Sequence, residues 1–385
     1  MSVRIFIPLS LLLFLLAAAL STGSPLLLLF STLLFVLILT GLLSVLIVSA
    51  TLNLSVSSDR DRVMRGEKVN LNILLRHRGL FPVAPIQLTL ESAPGAPLKT
   101  IRLRDLPGKQ QSLSLPFRAD HVGTSSPGIR SCTVEDLMGF FRKTVVPGTA
   151  SASLLVLPNH FDTEPLTLSP GDPGSELMSR ATEDLSLPSD IRSWQPGDPM
   201  KKIHWKLSLR KRELMVRKYD EPILQEVLLL MDCSRPPSWG HPEAEADIRD
   251  ALLETAASVF QDQEVSDLDV HFPLQGKHPI ELEKSMGLPL VLENIARTDF
   301  SETDRFERVL TLESRRLRKV GCVVVISARL NSTIVDVLVR LRTFGPNIRL
   351  YFVTFAPEDA EILALVGRLQ QTGIQVSYVI PQPVQ

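Results

Sequence analysis

Residues 226–234 read EVLLLMDCS, an unbroken apolar run that ends at an aspartate. A second run of this kind, VGCVVVIS, occupies residues 320–327. A strand with one face in water alternates polar and apolar residues, whereas a strand buried on both faces is apolar throughout. Both runs are therefore predicted to be central strands of a sheet that is covered on both sides.

The segments around these runs alternate between helical and strand patterns. Helices are predicted at 243–263, 288–297, 303–319, 332–344 and 357–371, and further strands at 267–274, 348–355 and 374–380. This alternation predicts a mostly parallel sheet in a Rossmann-like α/β domain at residues 223–385. The sequence lacks both G-x-G-x-x-G and the Walker motif, so we expect no dinucleotide, no NTP and no other cofactor.

Two regions upstream have different compositions. Residues 53–157 hold short alternating stretches such as EKVNLNILLRHR and PIQLTLES, separated by turns rich in proline and glycine. This pattern predicts a small β-sandwich on the membrane-proximal side. Residues 158–190 are rich in Pro, Gly, Ser, Asp and Glu and contain too little apolar surface to fold alone, so they are predicted to be an extended or mobile linker.

The N-terminus carries two uncharged apolar runs, at 5–20 and 25–50. The second run exceeds the roughly 20 residues that a helix needs to cross the hydrocarbon core, and the first is near the lower limit of about 17. We therefore predict a transmembrane hairpin at residues 1–52. The alternative for the first run is a cleaved signal peptide, because small residues at 17–19 follow Arg4 and an apolar stretch.

Either alternative places the soluble domains in the cytoplasm. Four basic residues follow the second run closely, and the positive-inside rule assigns them to the cytoplasmic face: Arg60, Arg62, Arg65 and Lys68. The three cysteines are odd in number and widely spaced, which suits a reducing compartment. The formal net charge of −1 lacks the basic excess of a dedicated nucleic-acid binder, so no nucleic-acid partner is expected.

Residues 191–206, IRSWQPGDPMKKIHWK, join a Pro-Gly turn to aromatic and basic residues. Asp198 is suited to cap a helix that begins at Pro199. Trp205 or Trp194 is predicted to wedge between this helix and the sheet. His204 is then expected to be a structural clasp, because no nucleophile and orienting acid flank it at a recognisable spacing.

The same block is strongly basic. A solvated face and an anionic contact are both consistent with such a cluster. With a membrane anchor in the chain, we expect an acidic protein partner or anionic lipid rather than nucleic acid. The candidate partner-binding residues are Lys201, Lys202, Lys206, Arg210, Lys211 and Arg212.

The block RSWQPGDPMKKIHWKLSLRKRELMVRKYDEP resembles the signature of the bacterial domain-of-unknown-function-58 family, and it is treated as a unit at residues 191–222. The matching positions are Arg192, Trp194, Pro196, Gly197, Asp198, Ile203, His204, Trp205, Ser208, Leu214 and Val216. VEDLMGFF is similar to the family's Asp-Pro-Phe-Gly-Leu-Phe element, with Leu137 and Met138 in place of Pro-Phe. The resemblance implies a membrane hairpin, a β domain and a von Willebrand factor A-like domain. It also implies a MoxR-type AAA+ ATPase as partner, often with a transglutaminase-like membrane protein.

An A-like domain carries a metal site with the pattern D-x-S-x-S after its first strand. Here that loop reads Asp232, Cys233, Ser234, Arg235 and Pro236, so proline replaces the second serine. After the later strand, Ala328 and Arg329 stand where a carboxylate is expected. Because hard cations need several oxygen ligands, no tightly bound metal is predicted at this degenerate loop.

Two functions remain open at the level of sequence. The first is a membrane-tethered, non-enzymatic adaptor or scaffold that presents the A-like domain to the ATPase or its client, in cell-envelope protein maturation or complex assembly. The second is a hydrolase or transferase with a strand-end cleft that uses Asp198, His204 and Asp232. The missing nucleophile motif and the degenerate metal loop favour the adaptor.

Overall fold

A computed structural model describes most of the chain. The described residues are 6–76, 86–91, 99–103, 110–147, 151–164, 166, 190–195, 200, 203–218, 226–237, 242–266, 268–275, 279–300, 305–314, 317, 320–343 and 346–382. They divide into two compact units, residues 1–157 and 158–385. Each unit is treated separately below.

The first unit begins with two apolar helices that contact each other, α1 (Phe6–Thr22) and α2 (Pro25–Thr51). Gly23 adopts φ +64° in the turn between them, a left-handed conformation that glycine reaches without steric cost. Within the described part of the chain, α2 has the length and apolar composition to cross a membrane, whereas α1 is a shorter apolar helix of 17 residues.

The C-terminal turns of α2 pack into the β-structure that follows. Val45, Val48 and Ser49 are buried, and Val48 belongs to the same hydrophobic cluster as strand residues of the β domain. At Gly41, an added Cβ would lie 3.2 Å from Asp136 Oδ2 and 3.6 Å from a ring carbon of Phe141. The last third of α2 is therefore a structural part of the β domain, and its exposed apolar surface lies mainly in the preceding turns.

The described residues of the β domain form ten short strands. They are β1 (Asn53–Ser58), β2 (Arg62–Met64), β3 (Lys68–Arg76), β4 (Ile86–Glu91), β5 (Lys99–Leu103), β6 (Gln110–Arg118), β7 (Gly123–Ser125), β8 (Gly128–Glu135), β9 (Arg142–Val145) and β10 (Leu154–Leu157). They form three sheets, ordered β1-β3-β6, β5-β4-β8-β9 and β2-β10-β7. Residues of the first two sheets, including Ile73, Leu88 and Val134, share one core, as expected for the predicted sandwich.

The second unit contains a two-stranded and a six-stranded sheet. The strands are β11 (Asp190–Ser193), β12 (Met215–Lys218), β13 (Glu226–Met231), β14 (Asp269–Leu274), β15 (Ile280–Glu283), β16 (Val320–Ser327), β17 (Asn347–Val353) and β18 (Gln375–Val379). The large sheet has the order β15-β14-β13-β16-β17-β18, and its strands are parallel except for β15. The sequence patterns predicted its five parallel strands but not the short antiparallel β15.

Helices cover the two faces of this sheet. The helices of the second unit are α3 (Trp205–Lys211), α4 (Pro242–Val265), α5 (Leu288–Ala296), α6 (Phe306–Glu313), α7 (Ser332–Arg342) and α8 (Ala360–Gln371). Leu228 and Leu230 of β13 share a core with α6, α7 and α8, and α4 contacts β13, β14, β16 and β17. The helix predicted at 303–319 is shorter than expected, because α6 ends at Glu313.

The first residues of the predicted linker belong to the second unit. The backbone N–H groups of Asn159, Phe161 and Thr163 donate to the side chains of Glu254, Ser258 and Asp262, at 3.4, 3.0 and 2.9 Å. The donors are two residues apart on an extended chain, which advances about 6.6 Å, and the acceptors are four residues apart on a helix, which advances about 6 Å. The spacing of the donors therefore matches the spacing of the acceptors.

We define residues 158–164 as the strap. The C-terminal end of the strap is bound to the large sheet. Buried Arg349 of β17 donates to the carbonyl oxygen and the carboxylate of Glu164, each at 2.9 Å. The composition of 158–190 predicted an extended chain, and the strap is extended but docked. The remainder of the predicted linker, from 167 to 189, lies outside the described residues.

Gly41→Leu is expected to destabilise the first unit by about 1–3 kcal/mol, because overpacking displaces Asp136 and Phe141. Thermal unfolding of the detergent-solubilised chain measures the effect as a lower Tm. Gly367→Leu in α8 is the matched control, since nothing lies within 4 Å of a Cβ added there. Equal Tm values for the two variants would show that α2 is not packed against the turn at Asp136.

Candidate functional site

The signature block folds as a small β-hairpin that encloses a helix. Strands β11 and β12 pair antiparallel, with Asp190 opposite Lys218 and Ser193 opposite Met215. Trp194 continues the ladder, because its backbone N–H donates to the carbonyl oxygen of Leu214 at 2.7 Å. Ile203 and Val216 are buried and form a β-bridge with each other. The block is thus fixed at both ends by backbone pairing.

His204 connects the hairpin to α3. Its backbone N–H donates to the carbonyl oxygen of Met215 at 2.8 Å, and its Nδ1 accepts the backbone N–H of Leu207 at 3.2 Å. Its carbonyl oxygen accepts the N–H of Ser208 at 2.9 Å. An N-terminal cap of this kind satisfies one of the four donors that a helix start leaves unpaired. These contacts join His204 to β12 and to the first turn of α3.

Ser208 provides the second connection. Its buried hydroxyl donates to the carbonyl oxygen of His204 at 3.0 Å and accepts the backbone N–H of Met215 at 2.9 Å. The motif comparison named this serine only as a matching position, and its linking role follows from the structure. A small residue with one donor and two acceptor sites is required where the helix lies this close to the strand.

Helix α3 begins at Trp205, with His204 as its cap. The predicted helix start at Pro199 and its predicted cap Asp198 lie outside the described residues. Of the two tryptophans predicted to wedge between helix and sheet, Trp205 is 58% exposed and does not do so, and Trp194 is half-buried.

An exposed patch results, which we define as the α3 patch. Trp205 and Leu209 lie one helical turn apart and are 58% and 79% exposed, and Leu214 is also exposed. The surrounding basic residues are exposed as well: Lys206, Arg210, Lys211 and Arg212. Arg192 is exposed on β11. The patch therefore combines an aromatic and aliphatic stripe with positive charge.

Five sequence-predicted positions lie outside the described residues. They are Pro196, Gly197, Asp198, Lys201 and Lys202. The predicted cap and two of the predicted partner-binding lysines are among them.

The loop after β13 places Asp232 at the carboxyl end of the sheet, where it is 2% exposed. Arg329 donates to both of its carboxylate oxygens at 3.1 and 3.2 Å. The hydroxyl of Ser327 donates to Oδ2 at 3.0 Å, and both the backbone N–H and the hydroxyl of Ser234 donate to Oδ1. The carboxylate charge is thus balanced by a guanidinium in a bidentate arrangement.

The space around this aspartate is small. A cavity of about 10 Å³ is lined by Asp232, Ser234 and Gln275, which is room for at most one water molecule. A wider pocket of about 420 Å³ lies beside Arg235, the first turns of α4 and Phe300. Arg235 pairs there with Glu245, its Nε 3.0 Å from Oε1. The carboxylate of the degenerate loop therefore faces a cavity too small for a substrate.

The three cysteines are free and buried. Burial raises the pKa of the Cys132 and Cys322 thiols to about 12. A thiol with such a pKa stays protonated at neutral pH and is a poor nucleophile and metal ligand. Cys132 and Cys322 are therefore core residues.

Comparison with known proteins gives one family match. Residues 190–372 match the sequence model of the family described as "Protein of unknown function DUF58". No curated protein matches the chain.

Solved structures resemble short parts of the chain at low scores. The Pseudomonas fluorescens alkylpurine DNA glycosylase AlkC, bound to DNA with an abasic site analogue, is 13% identical over 28% of this chain and 30% of its own, with a TM-score of 0.20. A CARDB domain from Pyrococcus furiosus, in complex with di-metal ions, is 14% identical over 28% of this chain and 94% of its own, with a TM-score of 0.21. A non-cellulosomal cohesin from Archaeoglobus fulgidus is 11% identical over 27% and 91%, with a TM-score of 0.20. TM-scores this low do not establish a shared fold.

Ser208→Ala is expected to cost about 1–3 kcal/mol of unfolding free energy, because it leaves the buried N–H of Met215 without a partner. His204→Ala removes the cap and is expected to cost about 1 kcal/mol, whereas His204→Asn keeps a capping side chain and most of the stability. Trp205→Ala is expected to change stability by less than about 0.5 kcal/mol. Denaturant unfolding measures all four variants, and a larger loss for Trp205→Ala than for Ser208→Ala would contradict this geometry.

Arg329→Ala is expected to cost about 1.5–3 kcal/mol, because it leaves the buried carboxylate of Asp232 without its counter-charge. Adding Asp232→Asn should recover part of the loss, since the double variant buries no charge. Mg²⁺ is expected to leave the Tm of the wild-type chain unchanged. A saturable rise in Tm with Mg²⁺ that Asp232→Ala abolishes would instead show that a cation displaces the guanidinium.

Proposed function

We propose that this chain, whose residues 190–372 match the model of the domain-of-unknown-function-58 family, is a membrane-tethered, non-enzymatic adaptor. In this proposal α1 and α2 form a membrane hairpin, the β domain and the second unit lie in the cytoplasm, and the second unit is a von Willebrand factor A-like domain. Its partner is a MoxR-type AAA+ ATPase or the client of that ATPase, in cell-envelope protein maturation or complex assembly. A transglutaminase-like membrane protein is a further expected partner.

The strand order supports an A-like or Rossmann-like domain. Numbered within the large sheet, the strands run 3-2-1-4-5-6, which is the order of doubly wound nucleotide-binding folds. Ligands of such folds bind at the carboxyl ends of the strands, where Asp232 lies. Here Arg329 occupies both oxygens of that aspartate, which favours a binding role over metal or acid–base chemistry at this edge.

The α3 patch is the observation that carries the adaptor proposal. Exposed tryptophan and leucine side chains one turn apart have the composition of energetic centres in protein interfaces, where truncation costs most. The four exposed cations around them call for a partner surface that is apolar at its centre and acidic at its rim. A protein surface fits this description better than lipid or nucleic acid, because the stripe is only two side chains wide.

The alternative of a hydrolase or transferase finds less support in the described contacts. His204 uses Nδ1 as a helix cap, and Asp232 is paired with Arg329. Asp198, the third residue of that proposal, lies outside the described residues. Both described side chains already make structural contacts that account for their positions.

Trp205→Ala combined with Leu209→Ala is expected to reduce capture of the MoxR-type ATPase from solubilised membranes by at least about tenfold, since loss of an interface centre costs 2 kcal/mol or more. The triple variant Lys206→Glu, Arg210→Glu, Lys211→Glu should also weaken capture. The loss should be larger at low salt than at high salt, because charges at the rim of an interface act mainly through long-range electrostatic attraction, which salt screens.

The matched control is Leu363→Ala with Tyr378→Ala, which truncates two exposed side chains elsewhere in the second unit. It should leave capture unchanged, and all variants should keep the wild-type Tm. Undiminished recovery of the ATPase with the Trp205 and Leu209 double variant would refute the assignment of the α3 patch. The assignment would also fail if the wild-type chain captured only abundant proteins and no ATPase.

A further inference from the structure

Four ionisable side chains gather on one face of the large sheet near its β15 edge. They are Glu226 of β13, His271 of β14, and Glu281 and Glu283 of β15. His271 lies directly opposite Glu283 in the antiparallel pair, and Glu281 is two residues away on the same strand. Leu228 is the parallel partner of His271, which places Glu226 diagonally across. The strand pairing therefore places the imidazole of His271 next to three carboxylates.

The distances in this cluster are those of a metal ligand set. His271 Nδ1 lies 3.4 Å from Glu281 Oε1 and 3.9 Å from Glu283 Oε1. One ligand atom from each of these three residues lies within 4.8 Å of the ligand atoms of the other two. Two ligands of a tetrahedral zinc ion, each about 2.0–2.2 Å from the metal, are about 3.4 Å apart. The nitrogen and the first oxygen already have this separation, and the second oxygen needs only a small side-chain rotation.

His271 Nδ1 supplies an observation independent of the carboxylates. This atom is buried and has no hydrogen-bond partner, although the imidazole as a whole is 31% exposed. A buried polar atom without a partner is costly, so an unfilled position of this kind indicates a group that the described contacts lack. Carboxylate oxygens of Glu281 and Glu283 lie 3.4 and 3.9 Å from this atom, and a cation bound among the three atoms satisfies the nitrogen and both oxygens at once.

Ser285 and Glu226 lie next to the side chains of this cluster. Glu283 uses its other oxygen, Oε2, to accept a hydrogen bond from the hydroxyl of Ser285 at 3.3 Å, which leaves Oε1 toward His271. On the opposite side of the ring, His271 Nε2 lies 4.0 Å from Glu226 Oε2. Metal-bound histidines commonly direct their second nitrogen at a carboxylate, and ligating carboxylates are commonly hydrogen-bonded.

We propose that His271 Nδ1, Glu281 and Glu283 bind a divalent first-row transition-metal ion at the β14–β15 edge. Imidazole nitrogen selects transition ions over Ca²⁺ and Mg²⁺, which prefer all-oxygen sites. Two carboxylates neutralise the ion, and the neutral imidazole completes a three-ligand set with the fourth position open to water. The site is distinct from the degenerate loop at Asp232 and is independent of the adaptor proposal. Its structural effect is to fix the short edge strand β15 to β14.

The test uses the full chain in detergent, without a purification tag, titrated with Zn²⁺ against a chromophoric chelator. One Zn²⁺ per chain is expected to bind saturably. His271→Ala, and separately Glu281→Gln with Glu283→Gln, should weaken binding by at least about tenfold, since even outer-shell changes cost about 10- to 100-fold. Ser285→Ala should weaken it by a smaller factor, and Mg²⁺ should not compete.

His160→Ala is the matched control. His160 Nε2 also lies near two carboxylates, 3.7 Å from Asp162 and 3.6 Å from Asp262, but it lacks the cross-strand arrangement. It should leave the affinity and stoichiometry for Zn²⁺ unchanged. The glutamine double variant retains side-chain volume and so provides a folded comparison if His271→Ala loses its cooperative unfolding transition. Equal Zn²⁺ binding by wild type and the glutamine variant, or no saturable binding at all, would overturn the site.

Discussion

The central strands β13 and β16 must be buried on both faces, and this constraint organises the second unit. All eight residues of β16 are buried, and five of the six residues of β13 are buried. Apolar surface of this extent is stable only between two layers, at roughly 25 cal/mol for each Å² removed from water. Helices α6, α7 and α8 provide one layer, and α4 and α5 lie in the other.

The strap has little apolar surface of its own, yet it contributes to covering one face of the large sheet. Arg349 and Tyr351 lie on β17 with side chains opposite to Ile348 and Leu350, which belong to the α6–α8 core. On their side of the sheet the chain continues the cover with residues 158–164, tied to α4 and to Arg349. Composition alone predicted a linker here, because the stabilising contacts are backbone donors bound to side chains almost 100 positions away.

Much of the second unit was predictable because its signals are local. Apolar runs and helical periodicity predicted the five parallel strands and the main helices, and the aspartate at the end of β13 indicated the degenerate loop. The β-bridge between Ile203 and Val216 and the exposure of Trp205 were not predictable in this way, because they depend on contacts between separate stretches of the chain. An aromatic residue inside a motif suggests burial, yet here the motif's buried contacts come from Ile203, Ser208 and Val216.

The two acidic positions of the sheet differ in how their charge is balanced, and this difference separates their roles. Asp232 is almost fully buried, and a carboxylate in that position requires a permanent counter-charge, which Arg329 supplies with two hydrogen bonds. At the β14–β15 edge, the imidazole nitrogens of His271 lie 3.4–4.0 Å from carboxylate oxygens of Glu281, Glu283 and Glu226. An imidazole beside carboxylates can act as a set of metal ligands, as we propose for this edge, whereas the guanidinium of Arg329 already satisfies both oxygens of Asp232.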